Sequence, residues 1–311
     1  MPPEDSPATL LPRAGYLGPQ GTFSEEALLS SVDRDAVEPV ALETIRDAVL
    51  AVQDGAVQWS LVPIENSIEG SVTVTLDALA GEASDVAIVG EAVLPVRHYL
   101  IARTSLELTQ IGTIVSHPHV PGQCTRFLRE RLPHVQVVAA TSTAEAVRLV
   151  AERAEDGGGI WAAIGTRLAA DLYRCTVIAR EIQDREDNET RFVWLARRDS
   201  PVGGPPLLTP GSNSGKTSLV FWGAGADRAG WLVLCLDEFA RRAINLTKIE
   251  SRPMRERLGQ YMFFVDLEGS LGDEAASSAI EGLRSLCEQV RVLGSYPAAA
   301  DALHGSASQL Q

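Results

Sequence analysis

Between Asp199 and Gly215 the chain carries Pro201, Gly203, Gly204, Pro205, Pro206, Pro210, Gly211 and Gly215. No helix or strand tolerates that density of breakers, so the fold must be assembled from separate regions on either side of it. Downstream, the apolar spacing predicts a strand over Thr217–Trp222, a helix over Gly230–Arg242, strands over Asn245–Ser251 and Gln260–Leu267, a helix over Asp273–Cys287 and a strand over Gln289–Gly294. This βαββαβ order is ferredoxin-like. Upstream, Ala14–Leu17 reads as a strand entering a glycine-rich turn, and Ser24 followed by Glu25 and Glu26 reads as a capped helix start. A helix over Thr44–Val52 and a strand over Trp59–Ile64 follow. Strands are predicted over Val86–Leu94, His98–Ala102, Ile111–Val115 and Gln136–Ala140, with helices near Gln123–Arg131 and over Ser142–Glu152. Such alternation predicts an α/β domain with mostly parallel sheets. Roughly 180 residues exceed what one sheet usually needs, and Glu91–Arg97 and Tyr173–Arg180 are placed to carry the chain between two lobes.

Composition narrows the chemistry. The four cysteines, Cys124, Cys175, Cys235 and Cys287, lie far apart without a paired spacing, which argues against a disulfide framework or a zinc site and for reduced thiols of a cytosolic protein. Met1–Pro12 lacks the basic start and apolar run of a signal peptide, and no apolar stretch reaches the length of a membrane span. A formal net charge of -14 repels nucleic acid and anionic membranes, so an anionic metabolite must be captured by local donors. His117, His119 and Cys124 have metal-ligand chemistry, but Pro118 and Pro121 oppose a helical presentation of the two imidazoles and a fourth ligand is missing. No metal is expected. The stretch Gly211 to Thr217 has three residues between its glycines where a phosphate loop needs four, and it follows a proline-rich linker in place of a strand. It is read as linker.

Four segments carry groups suited to a small organic anion. They are Gly18–Ser24, Val62–Ser67, Ser116-His117-Pro118 with Gln123-Cys124, and Asn188 with Thr190-Arg191-Phe192. Glu65-Asn66-Ser67 falls at the end of an apolar strand, where open α/β sheets place ligand groups, although Asn66 and Ser67 are equally suited to capping the next helix. Ser142–Ala146 is most simply an N-capped helix. In this order the four segments resemble prephenate dehydratase, and Glu250-Ser251-Arg252-Pro253 resembles part of the ACT regulatory domain that family carries. The resemblance extends over roughly residues 14 to 297 and lies in the combination of motifs.

The resemblance implies a bilobal, periplasmic-binding-protein-like α/β catalytic domain over residues 14–197, with its second lobe at about 96–175. A linker over 198–215 and a ferredoxin-like ACT domain over 216–297 follow. It implies decarboxylating dehydration of prephenate to phenylpyruvate, water and CO2, without metal or organic cofactor, in L-phenylalanine biosynthesis. Thr190 matches the family's essential threonine and is expected to act on the departing hydroxyl, with Glu65 the nearest candidate acid by motif. Asn66, Ser67, Ser116 and Gln123 match cleft positions. Thr22, Phe23 and Ser24 would form one wall, with Phe23 and Phe192 as aromatic groups. Arg191 would either hold a substrate carboxylate or support the site by pairing with an acidic side chain. The effector L-phenylalanine is expected near Gly230, Trp231, Leu232, Val233, Asn245, Leu246, Glu250, Ser251, Arg252 and Pro253. Trp231 stands where the family signature has alanine, so it either changes the effector site or turns into an interdomain or subunit contact. A cytoplasmic homodimer or homotetramer is implied, and a monofunctional one, because the motifs begin within about the first 20 residues and leave no room upstream for a chorismate mutase region. Arogenate dehydratase and a non-catalytic amino-acid sensor are the alternatives.

Overall fold

The computed structural model describes residues 11–299 except 154–158, 202, 209–210, 213, 224–227 and 256–257. The N-terminal segment before residue 11 and the tail from residue 300 lie outside these residues. The chain begins with β1 (Arg13–Leu17), α1 (Phe23–Ser31), β2 (Glu38–Leu42), α2 (Ile45–Gln53), β3 (Trp59–Asn66), the short β4 (Gly70–Ser71), α3 (Thr73–Gly81) and β5 (Val86–Pro95). It then crosses to β6 (Tyr99–Ala102), β7 (Ile111–Ser116), α4 (Val120–Gln123), α5 (Thr125–Arg131), β8 (Gln136–Ala139), α6 (Thr143–Glu152), β9 (Ile160–Gly165), α7 (Arg167–Leu172) and β10 (Thr176–Ala179). After β11 (Glu189–Arg197) come β12 (Gly215–Trp222), α8 (Trp231–Ala240), β13 (Leu246–Pro253), β14 (Tyr261–Glu268), α9 (Glu274–Leu286) and β15 (Gln289–Pro297).

Two sheets result, giving the expected mixed α/β, two-lobed arrangement. One holds β10-β6-β9-β7-β8, and the other runs β13-β14-β12-β15-β5-β11-β3-β1-β2 with β4 beside β3. The expectation of mostly parallel sheets is corrected. β11 runs antiparallel to both β3 and β5, and β6 antiparallel to β9 and β10. The cause is topological: β5 leaves the first sheet towards the second lobe, so β11, returning from that lobe, enters at the same end and runs the opposite way. The second crossing is corrected as well. Thr176–Ala179 still pairs with β6 in the second sheet, so residues 180–188 make the return, not Tyr173–Arg180.

The C-terminal unit has the strand order β13-β14-β12-β15 with both helices in one core, the ferredoxin-like arrangement expected from its element order. Linker composition implied separate regions on either side of it. Instead, Gly294 of β15 pairs with Ile88 of β5 and joins the two regions into one sheet. A Cβ at Gly294 would lie 2.1 Å from the Ile88 carbonyl oxygen, so only glycine permits this approach. Val220, Phe264, Leu293 and Tyr296 pack in the same buried cluster as Ile64, Leu76, Val193 and Leu195. The unit therefore shares a core with the first lobe.

Candidate active site

Strand alternation sorts the motif residues onto two faces. Thr190 of β11 pairs in register with Asn66 of β3, and Arg191 with Glu65. Because successive side chains point to opposite sides of a sheet, Asn66 and Thr190 face the cleft between the lobes, while Glu65 and Arg191 face the C-terminal unit. The cleft encloses about 470 Å³ and is lined by Thr22, Phe23, Ser24, Asn66, His98, Gln123, Ser142, Thr143, Asn188 and Thr190, among others.

Two helix N-termini reach it from opposite lobes. Thr22 caps α1 by accepting from the Glu25 amide, and Ser142 caps α6 by accepting from the Glu145 amide. The free amides of both first turns, together with the positive dipole ends, suit carboxylates. Gly21, at φ +85, brings the α1 loop against Ala169 and Ala144 of the other lobe, where a side chain would crowd both. Thr166 Oγ1 donates to the Gly21 carbonyl at 2.6 Å and fixes that approach.

The amides inside the cleft have a defined polarity. Asn66 Oδ1 accepts from the backbone N–H groups of Ile68 and Glu69, both at 2.9 Å. Its Nδ2 must therefore donate, and it does so to Asn188 Oδ1 and Thr190 Oγ1, also at 2.9 Å, and to the Glu189 carbonyl at 3.1 Å. Since Asn188 Oδ1 is an acceptor, Asn188 Nδ2 donates to Gln123 Oε1 at 3.2 Å. Gln123 Nε2 in turn donates to Glu69 Oε1 at 3.1 Å across the mouth of the cleft. The Thr190 oxygen thus accepts from Asn66, which leaves the hydroxyl proton available to a bound ligand.

Several expected site residues lie elsewhere, and their assignments are corrected. Glu65 Oε2 sits 3.2 Å from Arg191 Nη2 and its Oε1 3.3 Å from Lys248 Nζ, so the candidate acid is held by two cations on the far face of β3. Arg191 also pairs with Asp266 at 2.6 Å and Glu91 at 3.2 Å. Burial works against its charge, but Asp266, Tyr296 and Glu91 outweigh it and raise its pKa. Of the two uses open to Arg191, support from behind fits this geometry, and carboxylate capture in the cleft does not. Phe192 is 1% exposed among Tyr16, Leu61 and Trp194 in the core. Ser116 is fully buried. Ser67 Oγ donates to the Asp187 carbonyl and accepts from the Glu189 amide, tying the loop before β11.

Sequence reasoning overlooked His98 as a cleft residue, named Asn188 only as part of the Thr190 segment, and read Ser142 and Thr143 simply as the start of a capped helix. A lone histidine beside a strand carries no motif, and only the crossing of the chain at residues 96–98 brings it to the cleft. Burial holds the His98 pKa below its usual value, partly opposed by its hydrogen bond to Gln123. The rings of His117 and His119 stack at 5.4 Å. Cys124 is fully buried, with burial and then Asp184 pushing its thiol up to about 12. Among the described residues no three His, Cys, Asp or Glu side chains gather as metal ligands, and no helix is long and apolar enough to cross a membrane.

The expected effector residues are also divided. A smaller pocket of about 180 Å³ is lined by Gly230, Trp231, Leu232, Val233, Tyr261 and Phe263, among others. Trp231 is 6% exposed, packs near Phe221 and Phe263, and donates from its indole nitrogen to the Leu286 carbonyl at 2.9 Å. It is thus part of the C-terminal core and lines this pocket, without reaching the first lobe. Glu250 accepts from Ser71, and Arg252 donates to Asp77, on the first lobe. Asn245 donates to Glu268. Leu246 packs against the C-terminal core, whereas Ser251 and Pro253 are exposed on the edge strand β13.

A family model described as prephenate dehydratase matches residues 14–200. A prephenate dehydratase from Amycolatopsis methanolica is 39% identical over 285 residues, covering 91% of this chain and 88% of that protein. The structure of the Arthrobacter aurescens prephenate dehydratase in complex with L-Phe superposes with a TM-score of 0.81 at 35% identity, covering 92% of this chain and 90% of that one. GqqA, a quorum-quenching acylase, gives a TM-score of 0.78 at 27% identity over 92% of this chain and 98% of its own.

Proposed function

Because the chain belongs to the prephenate dehydratase family and catalyses the decarboxylating dehydration of prephenate to phenylpyruvate, we propose that the reaction takes place in the cleft containing Thr190, Asn66 and Gln123. Prephenate carries two carboxylates, and the cleft offers two helix N-termini, one on each lobe. We place one carboxylate at the first turn of α1 and the other at that of α6, with the ring beside Phe23. Closure of the lobes then removes water from the anion without calling on the net charge of the protein.

In the reaction the bond from ring carbon to carboxylate breaks, its electrons complete the aromatic ring, and the allylic C–O bond breaks as hydroxide leaves. One proton, supplied in the end by solvent, converts that hydroxide to water, and Thr190 hydrogen-bonds the departing oxygen as its charge grows. The observation that supports our assignment best is the freed proton of Thr190, whose oxygen accepts from Asn66. Donation by Asn66 polarises the hydroxyl and makes it a better donor to the leaving oxygen. Gln123 supplies a neutral donor at the cleft mouth, and Glu65 acts from the far face by holding β3 in place.

Ser142→Asp tests the placement of the carboxylate. Aspartate caps a helix as well as serine does, so the fold is retained, but a fixed anion now occupies the α6 terminus. The KM for prephenate is expected to rise about tenfold or more, the equivalent of roughly 1.4 kcal/mol of repulsion, with kcat changed less. An unchanged KM would remove α6 from the binding site.

We further propose a cytoplasmic homo-oligomer whose C-terminal unit is an ACT domain binding L-phenylalanine near Gly230–Val233 as a feedback effector. Exposed apolar side chains at Val233, Leu234, Ile249 and Tyr261 around that region support contact with a second copy. Turnover measured against L-phenylalanine concentration tests the effector, and sedimentation tests the assembly.

A further inference from the structure

His98 stands where the chain enters the second lobe and is 1% exposed. Its backbone is held on both sides, the amide donating to Gln183 Oε1 and the carbonyl accepting from the Ile182 amide, each at 3.0 Å. Phe23 meets the imidazole edge-on, with centroids 5.6 Å apart. One ring nitrogen, Nε2, lies 2.9 Å from Gln123 Oε1, while Nδ1 is buried without a partner among the described residues.

The roles in this contact follow from the cleft polarity. Two backbone amides fix Asn66, Asn66 fixes Asn188, and Asn188 donates to Gln123 Oε1. That oxygen is therefore an acceptor, and the group facing it on His98 must be an N–H. A second proton on Nδ1 would place an uncompensated charge in a buried, unpartnered position. A neutral imidazole protonated on Nε2 satisfies every contact.

We propose that His98 is a positioning residue for the dehydration: the neutral, Nε2-protonated ring clamps the Gln123 carbonyl so that the Gln123 NH2 group points into the cleft mouth. The clamp matters because both ends of that amide have competitors. Without His98 the Gln123 side chain loses one of its two donors and gains freedom to rotate, and a flipped amide would set its oxygen against the Glu69 carboxylate. His98 touches no reacting atom and acts through Gln123. The proposal rests on the cleft being the site of dehydration, and the tests keep the two apart.

The tautomer is read first, without substrate, by nitrogen-15 NMR of the imidazoles in the full-length protein, with His98 assigned by its absence from His98→Gln. An Nε2-protonated neutral ring at neutral pH is expected. A ring protonated on Nδ1, alone or as the cation, would overturn the proposal. Kinetics then tests the route of action. His98→Leu is expected to lower kcat by roughly tenfold, the scale of one lost hydrogen bond, whereas His98→Gln, which can present an NH2 donor to the same oxygen, regains most of it. In a Gln123→Ala background the His98→Leu change should cost less than about twofold, because its target is gone. A full tenfold loss in that background would show that His98 does not work through Gln123. If the parent protein fails to turn over prephenate, the dehydration assignment falls, while the tautomer and the shift of the Gln123 side-chain amide in His98→Gln still decide the clamp.

Discussion

Thr190→Ala is expected to lower kcat on prephenate by roughly a hundredfold or more, the usual scale for a lost transition-state donor, with KM changed by less than about threefold. The separation follows from the hydrogen-bond directions. Asn66 occupies the Thr190 oxygen as a donor, so the hydroxyl proton does nothing for the resting cleft and becomes useful only as negative charge grows on the departing oxygen. Thr190→Ser keeps the hydroxyl and should retain a substantial part of the activity. Thr190→Val keeps the shape, removes the donor and leaves Asn66 Nδ2 with two acceptors, so it should be as slow as the alanine variant. Steady-state kinetics on the three proteins decides the matter. A valine variant close to wild type would assign Thr190 to packing.

Loss of Arg191 should damage the protein through stability. Its guanidinium pairs with Glu65, Glu91 and Asp266, and the Glu91 and Asp266 side chains are 2% and 6% exposed. Lys216 remains beside Glu91 at 2.7 Å, and Ser218 donates to Asp266 at 2.6 Å. Neither neutralises Asp266. Arg191→Met therefore leaves a buried carboxylate without its counter-charge, which typically costs 3–5 kcal/mol, on the order of a third or more of a domain's stability. Combining it with Asp266→Asn should recover part of the loss, since the orphaned charge is removed. Chemical denaturation with a constant m-value reports the difference. A loss below about 1 kcal/mol would mean that the network is solvated in solution and contributes as weakly as an exposed pair.

The same arginine illustrates where sequence reasoning ends. Thr190-Arg191-Phe192 was legible as a functional triplet, but its three side chains go to three places: Thr190 to the cleft, Arg191 to ion pairs at the C-terminal unit and Phe192 to the core. Period-two alternation could have separated Thr190 from Arg191. Which face met which neighbour depended on β11 entering between β3 and β5, a pairing over more than 90 residues that local patterns do not encode. The ferredoxin-like order of the C-terminal unit was readable because its six elements are consecutive. Its fusion to the first lobe through Gly294 and Ile88 was not, since a single glycine in a strand announces no partner. Ser142 was recognised as a cap, yet its meaning arises only when α6 and α1 converge from different lobes. Glu65 shows the converse error, in which a carboxylate next to a site residue by number was taken for a site residue in space.

Prephenate dehydration in this cleft is the central claim, and a fold shared with GqqA shows that architecture alone does not decide chemistry. The most direct measurement is turnover by the purified chain on prephenate and arogenate in parallel, with phenylpyruvate and CO2 quantified together. Equimolar release of the two from prephenate, faster than any release of product from arogenate and unchanged by a chelator, is the expected result. A folded protein that releases no phenylpyruvate from prephenate would contradict the account.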